Sequence, residues 1–352
     1  MIEASDVQVH FILITTNRST NFQINTTLLS TNFTVYCYVS MQPVIRVSNL
    51  YKHFREIVAV DNLSFTVNEG DIYGFLGQNG AGKSTTIRML LTLIEPSSGE
   101  IELFGMNLFK HRKEILRQTG AVIEKPDVYK YLSAYENLQL FSKISGGAKL
   151  TRTQLLDQLA IVGLQDRAFS KVKTYSQGMK QRLGIAIALV HNPRLIVLDE
   201  PTNGLDPQGI ADIRNLILHL SKELNKTVLV SSHLLTEIQL IANRLLIIDK
   251  GKKMVEGNAS ELFDPAQTMV ELETLDNEKA IAQLRQSQWS VKLQPAREKT
   301  IVLKMDKNEI PAFHQSLAQM QIPVLSLQPR HSLEDYFLQV TTGNQHVEAF
   351  TN

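Results

Sequence analysis

Gly77-Gln78-Asn79-Gly80-Ala81-Gly82-Lys83-Ser84-Thr85 fits the pattern G-x-x-x-x-G-K-[ST]. Residues of these types at this spacing are suited to holding a chain of phosphates. Glycines let successive backbone N–H groups converge on one point as a nest, and a helix that starts there adds about half a positive charge. Lys83 neutralises the β- and γ-phosphates, and the Ser84 hydroxyl is placed to ligate Mg²⁺. The competing reading is a Gly-rich turn with an exposed lysine. The context argues against it: an apolar run over 71–76 precedes the loop, and a helical stripe of Ile87, Leu90, Leu91 and Ile94 follows it.

Two more segments extend this chemistry. Leu195-Ile196-Val197-Leu198-Asp199-Glu200 is an apolar strand pattern closed by two acids. Asp199 suits the shell of a metal, and Glu200 suits the orientation and activation of an attacking water. A strand ending in acids is common by itself and gains meaning only beside the phosphate loop. Tyr175-Ser176-Gln177-Gly178-Met179-Lys180-Gln181-Arg182 opens a helix with Leu183, Ala186, Ile187 and Val190 as its core stripe. Ser176 serves equally as an N-cap or, with the N–H groups after it, as an anion contact.

Such residues need a sheet to carry them. Residues 44–47, 64–67 and 101–104 are short β-rich segments. Residues 71–76, 195–198, 227–230 and 245–248 are apolar runs suited to strands buried on both faces. Helical patterns lie between several of them, so 41–257 reads as an α/β domain with a mixed, parallel-cored sheet and an antiparallel N-terminal part. After Gly257 the composition changes. Strands over 269–273, 290–293, 300–305 and 324–327, with helices over 277–286 and 309–319, give the order β-α-β-β-α-β. Residues 258–352 are thus a small α+β module of ferredoxin-like type, with Ser332-Leu333-Glu334-Asp335 opening a last helix.

Residues 1–40 stand apart, rich in Ser, Thr and Asn and carrying only Glu3, Asp6 and Arg18 as charges. They read as a disordered extension translated from an over-early start codon, with Met41 opening the natural first strand. The remaining composition excludes several classes. A chain of 352 residues is long enough for two or three folding units. The one cysteine, Cys37, excludes an intrachain disulfide and cysteine-based zinc or iron–sulfur sites. Lys plus Arg number 36 against 35 Asp plus Glu, so nucleic acid is not an expected partner. The run Lys110-His111-Arg112-Lys113 reads as a solvated face. No stretch approaches 18 consecutive apolar residues, so no span crosses a membrane.

In this order and spacing, 43–257 resembles the ATP-binding subunit of an ATP-binding cassette (ABC) transporter, a P-loop NTPase cassette with a helical subdomain. Segment 175–182 resembles a variant of that family's Leu-Ser-Gly-Gly-Gln signature. The resemblance implies a homodimer sandwiching two Mg·ATP, with Ser176, Gln177 and Gly178 at the ATP held by the second subunit. It implies that Asn203-Gly204-Leu205-Asp206 lies at the dimer seam, that His233 senses the γ-phosphate, and that Phe54 stacks on adenine, where the family usually has Tyr. The family's Q-loop glutamine is replaced within Ala121-Val122-Ile123-Glu124-Lys125-Pro126 by Glu124. A carboxylate is a harder ligand than an amide, so metal binding should survive. The Glu-Lys-Pro variant, Tyr175–Met179 and the segment 332–337 are similar to the bacitracin-resistance-type branch of ABC-2 exporters.

The resemblance implies an ATP-hydrolysing exporter subunit at the cytoplasmic face of the membrane. It would drive a separate permease through a groove near 124–145, with Tyr129, Tyr131 and Phe141 as contacts or, equally, as core. Competing readings are a soluble ABC ATPase of cofactor assembly, translation or DNA maintenance, and an importer ATPase. The cargo is an antimicrobial peptide, a drug or a lipid in the exporter reading.

Overall fold

The computed structural model describes residues 23–28, 31–36, 43–145, 150–263, 268–294 and 300–331. The chain divides into two compact units, Met1–Gln42 and Pro43–Asn352. In the first, β1 (Gln23–Leu28) and β2 (Thr31–Tyr36) pair antiparallel, with Gln23 opposite Tyr36. The expected disorder of 1–40 is therefore corrected for these two segments. Their threonines, Ile24, Phe33, Val35 and Tyr36 are strand formers, and that preference outweighs the polar Ser- and Asn-rich character of the segment. The rest of 1–40 lies outside the described residues.

The second unit begins with a long hairpin of β3 (Pro43–Phe54) and β4 (Ile57–Asn68). After β5 (Ile72–Leu76) and α1 (Lys83–Leu90), β6 (Ser98–Leu103) and β7 (Met106–Asn107) complete a four-stranded antiparallel sheet, ordered β4-β3-β6-β7. α2 (Arg112–Leu116) leads into β8 (Thr119–Ile123), a strand that the sequence pattern does not isolate. The helices α3 (Ala134–Ile144), α4 (Arg152–Ile161) and α5 (Gln177–Leu189) then form the helical subdomain. Its first two helices start on capping boxes, Ser133/Glu136 and Thr151/Gln154, each satisfying otherwise orphaned N–H groups.

β9 (Leu195–Asp199), α6 (Pro207–Lys222), β10 (Thr227–Ser232), α7 (Leu235–Gln239), β11 (Arg244–Asp249), β12 (Lys252–Asn258) and α8 (Ala259–Leu262) complete the α/β part of the unit. The central sheet is ordered β12-β11-β5-β10-β9-β8, parallel except for β12. Every residue of β5, β9 and β10 is buried, because both faces are covered. One face packs Tyr73, Phe75, Val197 and Leu246 against the antiparallel sheet and α1, with Phe65 stacked on Tyr73 at 5.9 Å. The other packs Leu76, Val230 and Leu198 against Leu183, Ile213 and Ile217 of α5 and α6. Arg244 joins the two sheets: its Nη1 donates to the Thr66 carbonyl at 3.2 Å and to Asp71 Oδ2 at 3.4 Å.

Beyond α8, β13 (Thr268–Thr274), α9 (Asn277–Arg285), β14 (Ile301–Met305), α10 (Ile310–Gln319) and β15 (Val324–His331) build a separate antiparallel sheet, ordered β14-β13-β15. It has its own core of Val270, Leu272, Leu284, Trp289, Leu303 and Phe313. The strand expected over 290–293 is a correction: Ser290–Lys292 is a 3-10 turn, and one antiparallel bridge, Leu293 to Leu303, stands in its place. The N–H groups of Ser290, Lys292 and Leu293 turn back to the carbonyls of Ser287, Trp289 and Ser290. The Trp289 ring meanwhile packs edge-on against Phe313 at 5.0 Å. The module therefore keeps the ferredoxin-like order with one strand reduced to that bridge. The helix expected from Ser332 lies outside the described residues.

Candidate active site

The phosphate loop leaves β5 at Leu76 and is fixed on three sides. Gly77 N–H donates to the Ser232 carbonyl on β10 at 3.4 Å, and Gly251 N–H donates to the Ala81 carbonyl at 2.9 Å. Gly82 caps α1 at φ 104°, and a Cβ there would meet the Ala59 carbonyl oxygen at 2.5 Å. Both the backbone conformation and the space demand glycine. Gly82→Ala is accordingly expected to lower stability by about 1–3 kcal/mol and to weaken ATP binding, read by thermal melts with and without nucleotide. Gly80 also has positive φ, 83°. Asn79 and Gly80 are exposed, Gln78, Ser84 and Thr85 half-buried, and Gly77, Ala81 and Lys83 buried.

Lys83 is 5% exposed, and its Nζ donates to the Gly77 carbonyl at 2.7 Å and to the Gln78 carbonyl at 3.3 Å. It pairs with Glu200 Oε1 at 3.0 Å. The other carboxylate oxygen of Glu200 lies 2.6 Å from His233 Nδ1. Glu200 leaves β9 at φ 50°, with its N–H donating to Ser231 Oγ at 2.9 Å. The Ser231 hydroxyl donates in turn to Asp199 Oδ1 at 2.6 Å. Because β5, β10 and β9 are neighbours in the sheet, their carboxyl ends deliver the loop, His233 and the two acids to one place.

Asp199 is 1% exposed, and its Oδ2 is buried without a hydrogen-bond partner. A buried carboxylate oxygen left unpaired is costly unless something positive meets it. This oxygen, beside a phosphate loop, fits the Mg²⁺ that the motif implies.

The other residues singled out in the sequence fall outside this cluster. Glu124 follows β8, whose last residue, Ile123, lies in register with Asp199, so Glu124 and Glu200 leave adjacent strands, both at positive φ. The Glu124 carboxylate is 63% exposed and forms an ion pair with Arg88 of α1. Phe54 is half-exposed at the end of β3, with Lys52 Nζ 4.8 Å from its ring centroid. Ser176 is the N-cap of α5 and accepts from Met179 N–H at 3.2 Å, as an ordinary cap does. Gln177 and Gly178 form the first turn of that helix. Asp206 caps α6, its Oδ1 accepting from Gly209 N–H at 3.2 Å. None of Ser176, Gln177, Gly178 and Asp206 has a hydrogen bond or ion pair with Lys83, Asp199, Glu200 or His233.

Three contributors are not evident in the sequence. Ser231 fixes both acids. Glu237 Oε2 accepts from Thr202 Oγ1 at 2.7 Å and Ser232 Oγ at 2.9 Å, tying the segment after Glu200 to the segment before His233. Arg88 holds Glu124. The pair Ser231-Ser232 between a buried strand and His233 is the one available signal, since hydroxyls at a strand end have backbone or acid partners to find.

A family model described as ABC transporter matches residues 60–203. The chain is 42% identical over 304 residues to the bacitracin transport ATP-binding protein BcrA of Bacillus licheniformis, covering 86% of this chain and 99% of that one. It is 39% identical over 303 residues to the uncharacterized ABC transporter ATP-binding protein YhcH of Bacillus subtilis, covering 86% and 97%. Among solved structures, the dimeric post-hydrolysis state of the ATP-binding cassette MJ0796 bound to ADP and Pi superposes with TM-score 0.56 at 26% identity, covering 61% of this chain and 98% of that one. With the phosphate loop, the acid pair and the histidine gathered at the carboxyl ends of β5, β9 and β10, the chain belongs to the ATP-binding subunits of ABC transporters, a family of ATPases.

Proposed function

We propose that this chain hydrolyses Mg·ATP as a homodimer and drives a separate membrane permease that exports antimicrobial peptides. The observation that carries the proposal is the Lys83–Glu200–His233 cluster beside the unpaired Asp199 oxygen, while the Ser176 helix start has no hydrogen bond or ion pair with it. One chain thus holds the catalytic half of a site, and a second copy would supply the serine-led helix as the other half.

The chemistry rests on the named groups. Glu200 pairs with Lys83 where a phosphate would sit. A triphosphate entering the loop displaces that carboxylate, and Lys83 and the loop N–H groups take the β- and γ-oxygens. Released from Lys83, Glu200 accepts a proton from the attacking water as the oxygen–phosphorus bond forms and ADP leaves. His233 Nδ1, held at 2.6 Å, keeps the carboxylate oriented. Asp199 Oδ2 and the Ser84 hydroxyl would hold Mg²⁺, which when bound neutralises phosphate charge and polarises the transferred group. The charge of Glu124 is balanced by Arg88. Glu124 would serve as a further Mg²⁺ ligand once nucleotide is bound. Glu124→Gln is then expected to raise the Mg²⁺ concentration for half-maximal turnover about 2–5-fold, the scale of an exposed charge pair. A Mg²⁺ titration of ATPase rate checks this, and an unchanged curve would remove Glu124 from the mechanism.

No helix among the described residues is long and apolar enough to cross a membrane. The relatives are ATP-binding proteins of transporters, which supports a membrane permease carried on another chain. The surface before and on α3 is suited to receive it. Tyr129 is 55% and Tyr131 82% exposed, and the Tyr129 ring lies 6.2 Å from the Phe141 ring. The relatives include bacitracin transport, lantibiotic transport and linearmycin resistance proteins, which supports a peptide or other antimicrobial cargo. The test is co-expression with the permease from the same operon. We expect co-purification, faster ATP turnover when the cognate antimicrobial is added, and loss of resistance with Glu200→Gln. Absence of a co-purifying membrane subunit, with efflux intact after deletion of this chain, would contradict the proposal.

A further inference from the structure

Behind the catalytic cluster, between β10, α6 and α7, lies a cavity of about 300 Å³. Its walls are mostly hydrocarbon: Ile210, Ile217, Val230, Ile238, Leu240 and Ile241. Two charged residues line it, Arg214 and Glu237. They differ in what they already bind. Glu237 Oε2 is occupied by the hydroxyls of Thr202 and Ser232. Arg214 is half-buried and has no hydrogen bond or ion pair among the described residues. An arginine in the wall of a hydrocarbon-lined hollow, with none of its five N–H donors bonded among the described residues, is matched by an anionic oxygen pair.

We infer that this cavity binds a small amphipathic carboxylate, an apolar body of about ten non-hydrogen atoms at ~30 Å³ each, with its head on Arg214. The site adjoins the catalytic residues along the chain. Pro201 and Thr202 in its wall directly follow Glu200, Ser231 and Ser232 precede His233, and Leu234 follows it. A body seated there packs between the segments that aim Glu200 and His233. The occupant therefore sets the rate of ATP turnover without touching nucleotide. This goes beyond the transport reading, because binding requires neither permease nor nucleotide.

The test is isothermal titration of the full-length chain with octanoate, octanol and octylammonium, repeated with Arg214→Met. Met keeps length and apolar character and removes the charge. The expected result is saturable 1:1 octanoate binding that Arg214→Met weakens at least tenfold, with octanol unaffected by the substitution. Saturating octanoate should change wild-type ATP turnover at least twofold and leave Arg214→Met unchanged. A second variant, Ile241→Phe, fills the hollow and should abolish binding of all three. Lack of saturable binding, equal octanoate affinity in Arg214→Met, preference for octylammonium, or unchanged turnover at saturation would each overturn the inference.

Discussion

Lys83→Ala is expected to reduce ATP turnover by at least about 100-fold and to weaken ATP binding by a similar factor. Lys83 is the cation buried within the loop's own cluster, held ready by the Gly77 and Gln78 carbonyls. A charge-assisted contact contributes about 1.5–3 kcal/mol, and loss of a preorganised donor where charge develops costs about 10²–10³ in rate. The substitution also strands Glu200, only 15% exposed, without its main counter-charge. The nucleotide-free protein should therefore melt at a lower temperature, and the two losses are separable: titration with a fluorescent ATP analogue reads the first, calorimetry without nucleotide the second. Turnover within threefold of wild type would show that the lysine is not the phosphate clamp.

Glu200→Gln is expected to act in opposite directions on binding and on chemistry. Turnover should fall about 10²–10⁴-fold, the range for loss of a positioned general base. ATP affinity should hold or rise, because the carboxylate that pairs with Lys83, and that repels incoming phosphates, is gone. Gln keeps the shape and an acceptor oxygen for His233 while losing the charge. Single-turnover kinetics beside equilibrium ATP binding separate the two effects. Equal loss of both would mean that Glu200 serves binding or folding, and another group would have to receive the water's proton.

Much of this site is legible in the residues. The phosphate loop, the acids closing β9 and the serine-led start of α5 combine local patterns with unusual spacing, and each lies on the element expected of it. The strands buried on both faces are equally plain as apolar runs. β8 is not, because Thr119 and Gly120 interrupt its apolar character and its residues take strand form from β9 beside them. Residues 290–293 alternate polar Ser290 and Lys292 with apolar Val291 and Leu293 as a strand would, yet the tertiary demand to bury Trp289 against Phe313 wins, and a turn results. The hairpin of 23–36 shows the reverse bias, since many hydroxyls and amides look like disorder although threonine favours strands. Pairings between distant segments are beyond reach. Neither the Arg88–Glu124 pair nor the bonds of Ser231 to both acids can be read from any spacing, because they depend on which strands lie side by side.

In the proposed homodimer that dependence on neighbours would extend to the second protomer. Shifting a dimer from mostly open to mostly closed requires about 5.5 kcal/mol of differential binding, and charge-assisted contacts of about 1.5–3 kcal/mol from Ser176 and Gly178 at two sites suffice in principle. Sedimentation velocity of the Glu200→Gln chain, with and without Mg·ATP over a wide concentration range, is the direct measurement. The expected result is a monomer without nucleotide and a dimer with it, and the dimer is lost when Ser176→Arg is added. A chain that stays monomeric with Mg·ATP at every concentration, and alongside its permease as well, would contradict a nucleotide shared between two copies.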